Sequence, residues 1–250
     1  MLGEFPEHGD MDDEGWIDLF DFSKISFVPE EAVANHNPTK MGLDPSGEGR
    51  DKTPRAVRDE MLLRIVAEQG RSTPKSIANT TISLLYTYEK ITPDEVVYDN
   101  FGVGANVGVE LADAGYKCTG INSANDASDT DTFENLRAEM FRRFRNWLYA
   151  GGQLVGDEVY WEDLKMIKYK RNTKGKIQII PKKLLLKRYG KSPDRPDAGS
   201  YCFHKMQPLA KKKLIKPPRR HINPLTGEYL PVQEKRLDED FISPKTIDLW

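Results

Sequence analysis

Two short apolar runs in this chain of 250 residues each end on an aspartate followed by turn residues. Met41-Gly42-Leu43-Asp44 leads into Pro45-Ser46-Gly47-Glu48-Gly49, and Val96-Val97-Tyr98-Asp99 leads into Asn100-Phe101-Gly102-Val103-Gly104. Runs of this length bounded by glycine and proline read as buried strands. Two such strands in one sheet would set two carboxylates on one edge. Between them, Thr53 to Val57 and Met61 to Val66 fit an antiparallel hairpin, with Pro54 weakening its first strand. Ser72-Thr73-Pro74-Lys75 then supplies an N-cap and a first-turn proline for a helix carrying Ile77, Thr81, Leu84, Leu85 and Tyr88 at helical spacing.

After Asp99 the pattern predicts a helix over Val103 to Ala114, a strand over Tyr116 to Ile121, and an amphipathic helix over Thr132 to Ala150. The last is marked by Phe133, Leu136, Met140, Phe144, Trp147 and Leu148. Met166 to Tyr169 and Lys176 to Ile180 flank a lysine-rich turn and read as a hairpin. A short helix over Pro181 to Tyr189 follows, and then a helix with Ser192 as N-cap, bearing Asp197, Tyr201 and His204 on one face. Strand-Asp, hairpin, helix, strand-Asp, helix, strand and a late helix with Asp is the order of an RNase H-like nuclease. The expected fold is therefore α/β, a mixed central sheet flanked by helices, with an extra basic β-hairpin.

Three carboxylates stand out by position: Asp44 and Asp99 at strand ends, and Asp197 on a helix that could lie over that edge. Each taken singly also fits a plain turn or helix-start role. Taken together, hard oxygen donors with no nearby histidine or cysteine suit Mg²⁺ or Mn²⁺, and two ions about 4 Å apart would activate water and steady the leaving oxygen of a phosphodiester. Asp51, beyond the glycine turn, could reach a second ion. Cys118 and Cys202 lie far apart and the four histidines are scattered, which leaves no disulfide framework or thiolate zinc site. No apolar run approaches the ~20 residues that span a bilayer, so no membrane partner is expected.

The formal net charge of −2 averages two opposed parts. Lys165 to Arg220 holds 19 Lys and Arg against 2 Asp and Glu, leaving 18 basic and 37 acidic residues elsewhere. Such a basic segment in an acidic protein reads as a face for nucleic acid. Lys170, Arg171, Lys174, Lys182, Lys183, Lys187 and Arg188, with Lys191 and Arg195 beyond them, would track phosphates, giving salt-sensitive binding with little sequence preference. Phosphate-loop imitations fail: Val107 stands at the third glycine of a dinucleotide fingerprint, and Leu185 stands where Gly190-Lys191-Ser192 would need a glycine five residues earlier.

Gly42-Leu43-Asp44-Pro45-Ser46-Gly47 with Asp51-Lys52-Thr53, Val97-Tyr98-Asp99-Asn100-Phe101-Gly102-Val103-Gly104-Ala105, Asn135-Leu136-Arg137-Ala138-Glu139, and Gly190-Lys191-Ser192-Pro193-Asp194-Arg195-Pro196-Asp197-Ala198 together resemble the nuclease domain of the large terminase subunit of tailed bacteriophages. Leu2-Gly3-Glu4-Phe5-Pro6 is similar to the linker after that family's packaging ATPase. The resemblance covers roughly residues 1 to 205. It implies a divalent-metal endonuclease that cuts concatemeric double-stranded viral DNA at the start and end of head filling. It makes Asp44, Asp99 and Asp197 the metal ligands, with Asp194 and Asp51 in support; Asp194 could instead be the third main acid. It further implies an ATPase motor, on the same longer chain or a separate one, with the small terminase subunit and the portal as partners. The expected location is the host cytoplasm, and not the mature virion. The rival readings are a Holliday-junction resolvase or transposase-type nuclease, and a non-catalytic DNA-binding assembly module. The layout expected is an acidic arm (1–40), the nuclease domain (41–205) and a basic tail (206–250).

Overall fold

The computed structural model describes residues 11–33, 36–47 and 51–205, so the linker-like Leu2-Gly3-Glu4-Phe5-Pro6 and the basic tail (206–250) lie outside the described residues. All the described residues fall in one compact unit.

The described part of the acidic arm is built into that unit. Trp16, Leu19, Phe20 and Ile25 are buried in the largest core cluster with Phe141, Phe144, Trp147 and Trp161. This aromatic packing ties strands β1 (Ile17–Asp18) and β2 (Ser26–Val28) to the rest. The main strands follow as β3 (Lys40–Leu43), β4 (Lys52–Arg58) and β5 (Leu62–Gly70). Helix α1 (Pro74–Thr87) leads to β6 (Val96–Asp99), α2 (Val103–Asp113) and β7 (Thr119–Ile121). Then come α3 (Leu136–Tyr149), β8 (Gln153–Val155), the hairpin β9 (Lys168–Arg171) and β10 (Ile177–Ile179), α4 (Lys182–Tyr189) and α5 (Asp194–Tyr201).

Seven strands form the central sheet in the order β2-β8-β5-β4-β3-β6-β7, and β1-β9-β10 form a small second sheet. The middle of the central sheet is antiparallel (β5 to β4 to β3), and β6 runs parallel to both β3 and β7. The sheet is therefore mixed, as expected. Pro54 is tolerated inside β4, and the β4–β5 ladder carries a register shift at Arg55/Ala56. A bulge of this kind sharpens local twist.

Two expectations shift, and two strands were not foreseen. Helix α3 starts at Leu136, not Thr132, because the Asn135 side chain accepts from Ala138 N at 3.0 Å and caps it; such a cap contributes about 1 kcal/mol. Phe133, upstream of that cap, instead forms a bridge with Ile177 of β10. Pro193 takes the N-cap position of α5 and no side chain caps that helix, so Ser192 lies one residue outside it. Strands β2 and β8, three residues each, show no pattern distinguishable from loop, yet they extend the sheet by parallel pairing.

Candidate active site

Side-chain alternation decides which carboxylates can meet. In β6, Val96 and Tyr98 pack with residues of α1 and α2, whereas Val97 packs with Met140 and Tyr201 of α3 and α5. Successive strand residues point to opposite faces, so Asp99 follows Val97 toward α5. In β3, Met41 and Leu43 pack on the α1/α2 side, and Gly42 faces α5. Asp44 follows Gly42. The parallel register opposes Leu43 to Tyr98, which brings Asp44 level with Asp99.

Close approach brings the third carboxylate. A Cβ on Gly42 would lie 1.9 Å from the carbonyl oxygen of Ala198, so only glycine allows α5 to settle this low on β3. Asp197, the neighbour of Ala198, is thereby held over the two strand ends with no solvent exposure. Gly104 serves the same end at the start of α2, where a Cβ would lie 1.7 Å from the Asp99 carbonyl oxygen.

Two cations enter the cluster. Arg137, in the first turn of α3, donates from Nε and Nη2 to Asp197 Oδ1 at 3.2 and 3.1 Å, and from Nη1 to the Ile180 carbonyl at 2.8 Å. Lys182, at the start of α4, places Nζ 3.1 Å from Asp197 Oδ2 and 3.3 Å from both Asp44 oxygens. The Tyr201 hydroxyl donates to Asp44 Oδ1 at 3.3 Å. Asp194 opens α5 and accepts from the backbone N–H of Lys52 at 3.1 Å, which brings it beside Asp51. Asp51 itself is exposed.

Negative charge is in excess here. Burial pushes Asp44 up to about 7, opposed by Lys182 and reinforced by Asp197, Asp194 and Asp99. Burial likewise raises Asp99, against Lys182 and Arg137. Asp194 is raised to about 6, again mainly by burial, with hydrogen bonds from Ser192 and Lys52 opposing. Burial disfavours the Lys182 ammonium, yet Asp197 and Asp44 outweigh it and hold the lysine above its ordinary value.

The donor set suits a hard divalent cation in kind. Four crowded carboxylates face two cations, and Asp99 Oδ1 is buried with no hydrogen-bond partner among the described residues. Among the described residues no group of three carboxylates, histidines or cysteines is disposed to enclose an ion; Lys182 Nζ stands between Asp44 and Asp197. Cys118 and Cys202 are both free, and Cys202 is buried.

The basic candidates divide. Lys182 belongs to the carboxylate cluster, where the sequence pattern gave it to the DNA face. Arg188 pairs with Asp12 and Glu14 at 2.7 and 2.9 Å, Lys191 with Asp163 at 2.6 Å, and Arg195 with Glu68 at 2.8 Å while stacking 4.2 Å over the Tyr160 ring. Lys170 lies 4.2 Å over the Trp16 ring, and Arg171 donates to the Gly175 carbonyl. Lys174, Lys183 and Lys187 are exposed. A cleft of about 680 Å³ opens at the β9–β10 hairpin, lined by Lys170, Lys174 and Lys176 together with Asp126 and Glu134.

Arg137 and Tyr201 were given no role by sequence reasoning, although both lie in segments it singled out. An arginine in the first turn of the strongly amphipathic α3 is the one signal that could have marked Arg137.

No family model matches the sequence, and no curated protein matches it either. Solved structures do. The nuclease domain of the large terminase subunit gp2 of bacterial virus Sf6 is 23% identical, covering 67% of this chain and 88% of that one, with a TM-score of 0.59. A variant of the same domain with manganese and beta-thujaplicinol is 22% identical, covering 66% and 89%, at TM-score 0.58. The fold is that of the large terminase nucleases. The nuclease from thermophilic phage G20c with bound magnesium is 16% identical, covering 68% and 82%, at TM-score 0.50. The RNase H-like architecture expected from the element order is thus the observed one. Among the described residues no helix is long and apolar enough to cross a membrane.

Proposed function

We propose that this chain is the nuclease of a viral large terminase subunit, an endonuclease that hydrolyses phosphodiesters of concatemeric double-stranded DNA during genome packaging. One observation carries the reading: Asp44, Asp99 and Asp197, 153 residues apart from first to last, converge in a buried cluster at one sheet edge. Its likeness to terminase nucleases solved with manganese and magnesium supports the metal dependence.

In this reading Asp44, Asp99 and Asp197 hold Mg²⁺ or Mn²⁺, with Asp194 and Asp51 at the side where a second ion would enter. Bound ions would supply Lewis acidity at the phosphate and lower the pKa of an attacking water. The chain's own contribution is positioning. Arg137 fixes Asp197 by donating from Nε and Nη2 to Oδ1, so that oxygen is committed and Oδ2 faces Lys182. Lys182 balances the cluster's charge, and it would have to leave Asp44 for that carboxylate to hold a metal. Exposed Lys174, Lys183 and Lys187 meet phosphates of the duplex, a sequence-independent contact. The ATPase motor, small terminase subunit and portal are the partners this role requires, in the host cytoplasm.

The test is conversion of supercoiled plasmid by wild type and Asp44→Ala with millimolar Mn²⁺ or Mg²⁺, and with chelator. Cleavage by wild type that needs metal and vanishes in the variant is expected. Metal-independent cutting, or cutting that survives in the variant, contradicts the assignment. Preference for a branched substrate over linear duplex would move it to the resolvase class.

A further inference from the structure

We infer that Tyr201 is a positioning residue of the metal centre, whose hydroxyl orients Asp44 for the ion; this rests on the metal-nuclease reading above. Among the described residues the Asp44 carboxylate takes hydrogen bonds from two groups only, Lys182 Nζ and the Tyr201 hydroxyl. Lys182 touches both Asp44 oxygens equally at 3.3 Å and so does not distinguish them. Tyr201 touches Oδ1 alone. With Lys182 withdrawn, the hydroxyl is the contact that would remain, and by engaging Oδ1 it would leave Oδ2 to an ion.

The placement of Tyr201 suits this role. It lies one helical turn after Asp197 on α5, so one short helix delivers a carboxylate and the group that steadies its neighbour. The ring is 1% exposed and packed with Val97, Ile121 and Met140. Hydrogen-bonding partners of metal ligands behave in this way: they fix the ligand's orientation, and losing one costs roughly 10–100-fold in metal affinity.

The experiment is calorimetric titration of Mn²⁺ into wild type, Tyr201→Phe and Val97→Ala, alongside the metal-free melting temperature of each. Tyr201→Phe removes one atom and keeps the ring. It is expected to fold and to bind Mn²⁺ roughly 10–100-fold more weakly. Val97→Ala loosens the same packing without touching the hydroxyl; it is expected to melt lower yet bind Mn²⁺ within about twofold of wild type. Equal affinity in wild type and Tyr201→Phe would overturn the inference while leaving the nuclease reading intact. So would equal weakening in both variants, or failure of Tyr201→Phe to fold, since either would assign the hydroxyl to packing. Absence of Mn²⁺ binding by wild type would instead remove the reading on which the inference stands.

Discussion

The acidic strand edge and the basic segment that follows it are opposite kinds of charge. At the strand edge Asp99 ends β6, Asp44 directly follows β3 and Asp197 lies over them on α5, with Asp44 and Asp197 almost wholly buried. In the basic segment, Lys182, Arg188, Lys191 and Arg195 are engaged by carboxylates of the protein itself, while Lys174, Lys183 and Lys187 stand in solvent. Position along a strand therefore says more about chemistry than local charge density does. A carboxylate at the end of a buried strand has its direction set by the pleat. A lysine on a long flexible stem has a direction set by whatever carboxylate it reaches.

The largest effect should come from the edge. Asp99→Ala and Asp197→Ala are each expected to reduce plasmid cleavage to background while near-ultraviolet circular dichroism stays native. Equal cleavage by either variant would detach the cluster from the chemistry. The next largest concerns Arg137, whose removal leaves the buried Asp197 with Lys182 alone. Arg137→Ala should destabilise the metal-free protein by about 3 kcal/mol in urea unfolding, the scale of a broken buried ion pair. A loss below about 1 kcal/mol would mean that Lys182 suffices.

A smaller effect is the pH dependence of the metal-free protein. Asp44 titrates near 7 and Asp194 near 6 when folded, against 3.8 for the free side chain. Between these values the folded state binds more protons than the unfolded state, so the stabilising contribution of these groups is complete below about pH 4 and declines as pH rises through their folded values. The melting temperature should fall between about pH 5 and about pH 8, and Asp44→Asn should flatten that decline by a few degrees. A melting temperature that rises over this window in wild type and variant alike would show that the cluster is not short of positive charge.

The smallest effect belongs to the exposed bases. Replacing Lys174, Lys183 and Lys187 together by alanine should lower the salt slope of duplex binding by about 3, one for each phosphate contact. Arg195→Ala should leave that slope unchanged, because its guanidinium is bound to Glu68 and Tyr160. An equal drop from Arg195→Ala would erase the division between paired and exposed bases.

Much of the edge was legible in the sequence. Asp44 and Asp99 announced themselves by apolar runs that stop at breakers, and the hairpin between them by two runs close in sequence, Thr53 to Val57 and Met61 to Val66. Period two then places both carboxylates on the face opposite Leu43 and Tyr98. Three things were not legible. Strands β2 and β8 are too short for a period and exist through tertiary pairing. Lys182 is one lysine among many until α4 is seen to start beside Asp44 and Asp197. The pairing of Arg137 with Asp197 spans 60 residues and depends on how α3 packs against α5; no local pattern encodes that distance.

The central claim is that strand topology, rather than the abundance of lysine, locates the cutting centre. It is tested most directly by the rate of supercoiled plasmid cleavage in saturating Mn²⁺ at low salt, comparing wild type, Asp99→Ala and the Lys174/Lys183/Lys187 triple alanine variant, with enzyme in excess of DNA so that binding is complete. The expected result is no turnover for Asp99→Ala and a rate within roughly tenfold of wild type for the triple variant, since phosphate contacts position the duplex and do not perform the hydrolysis. Turnover retained by Asp99→Ala, with cleavage lost in the triple variant, would contradict it.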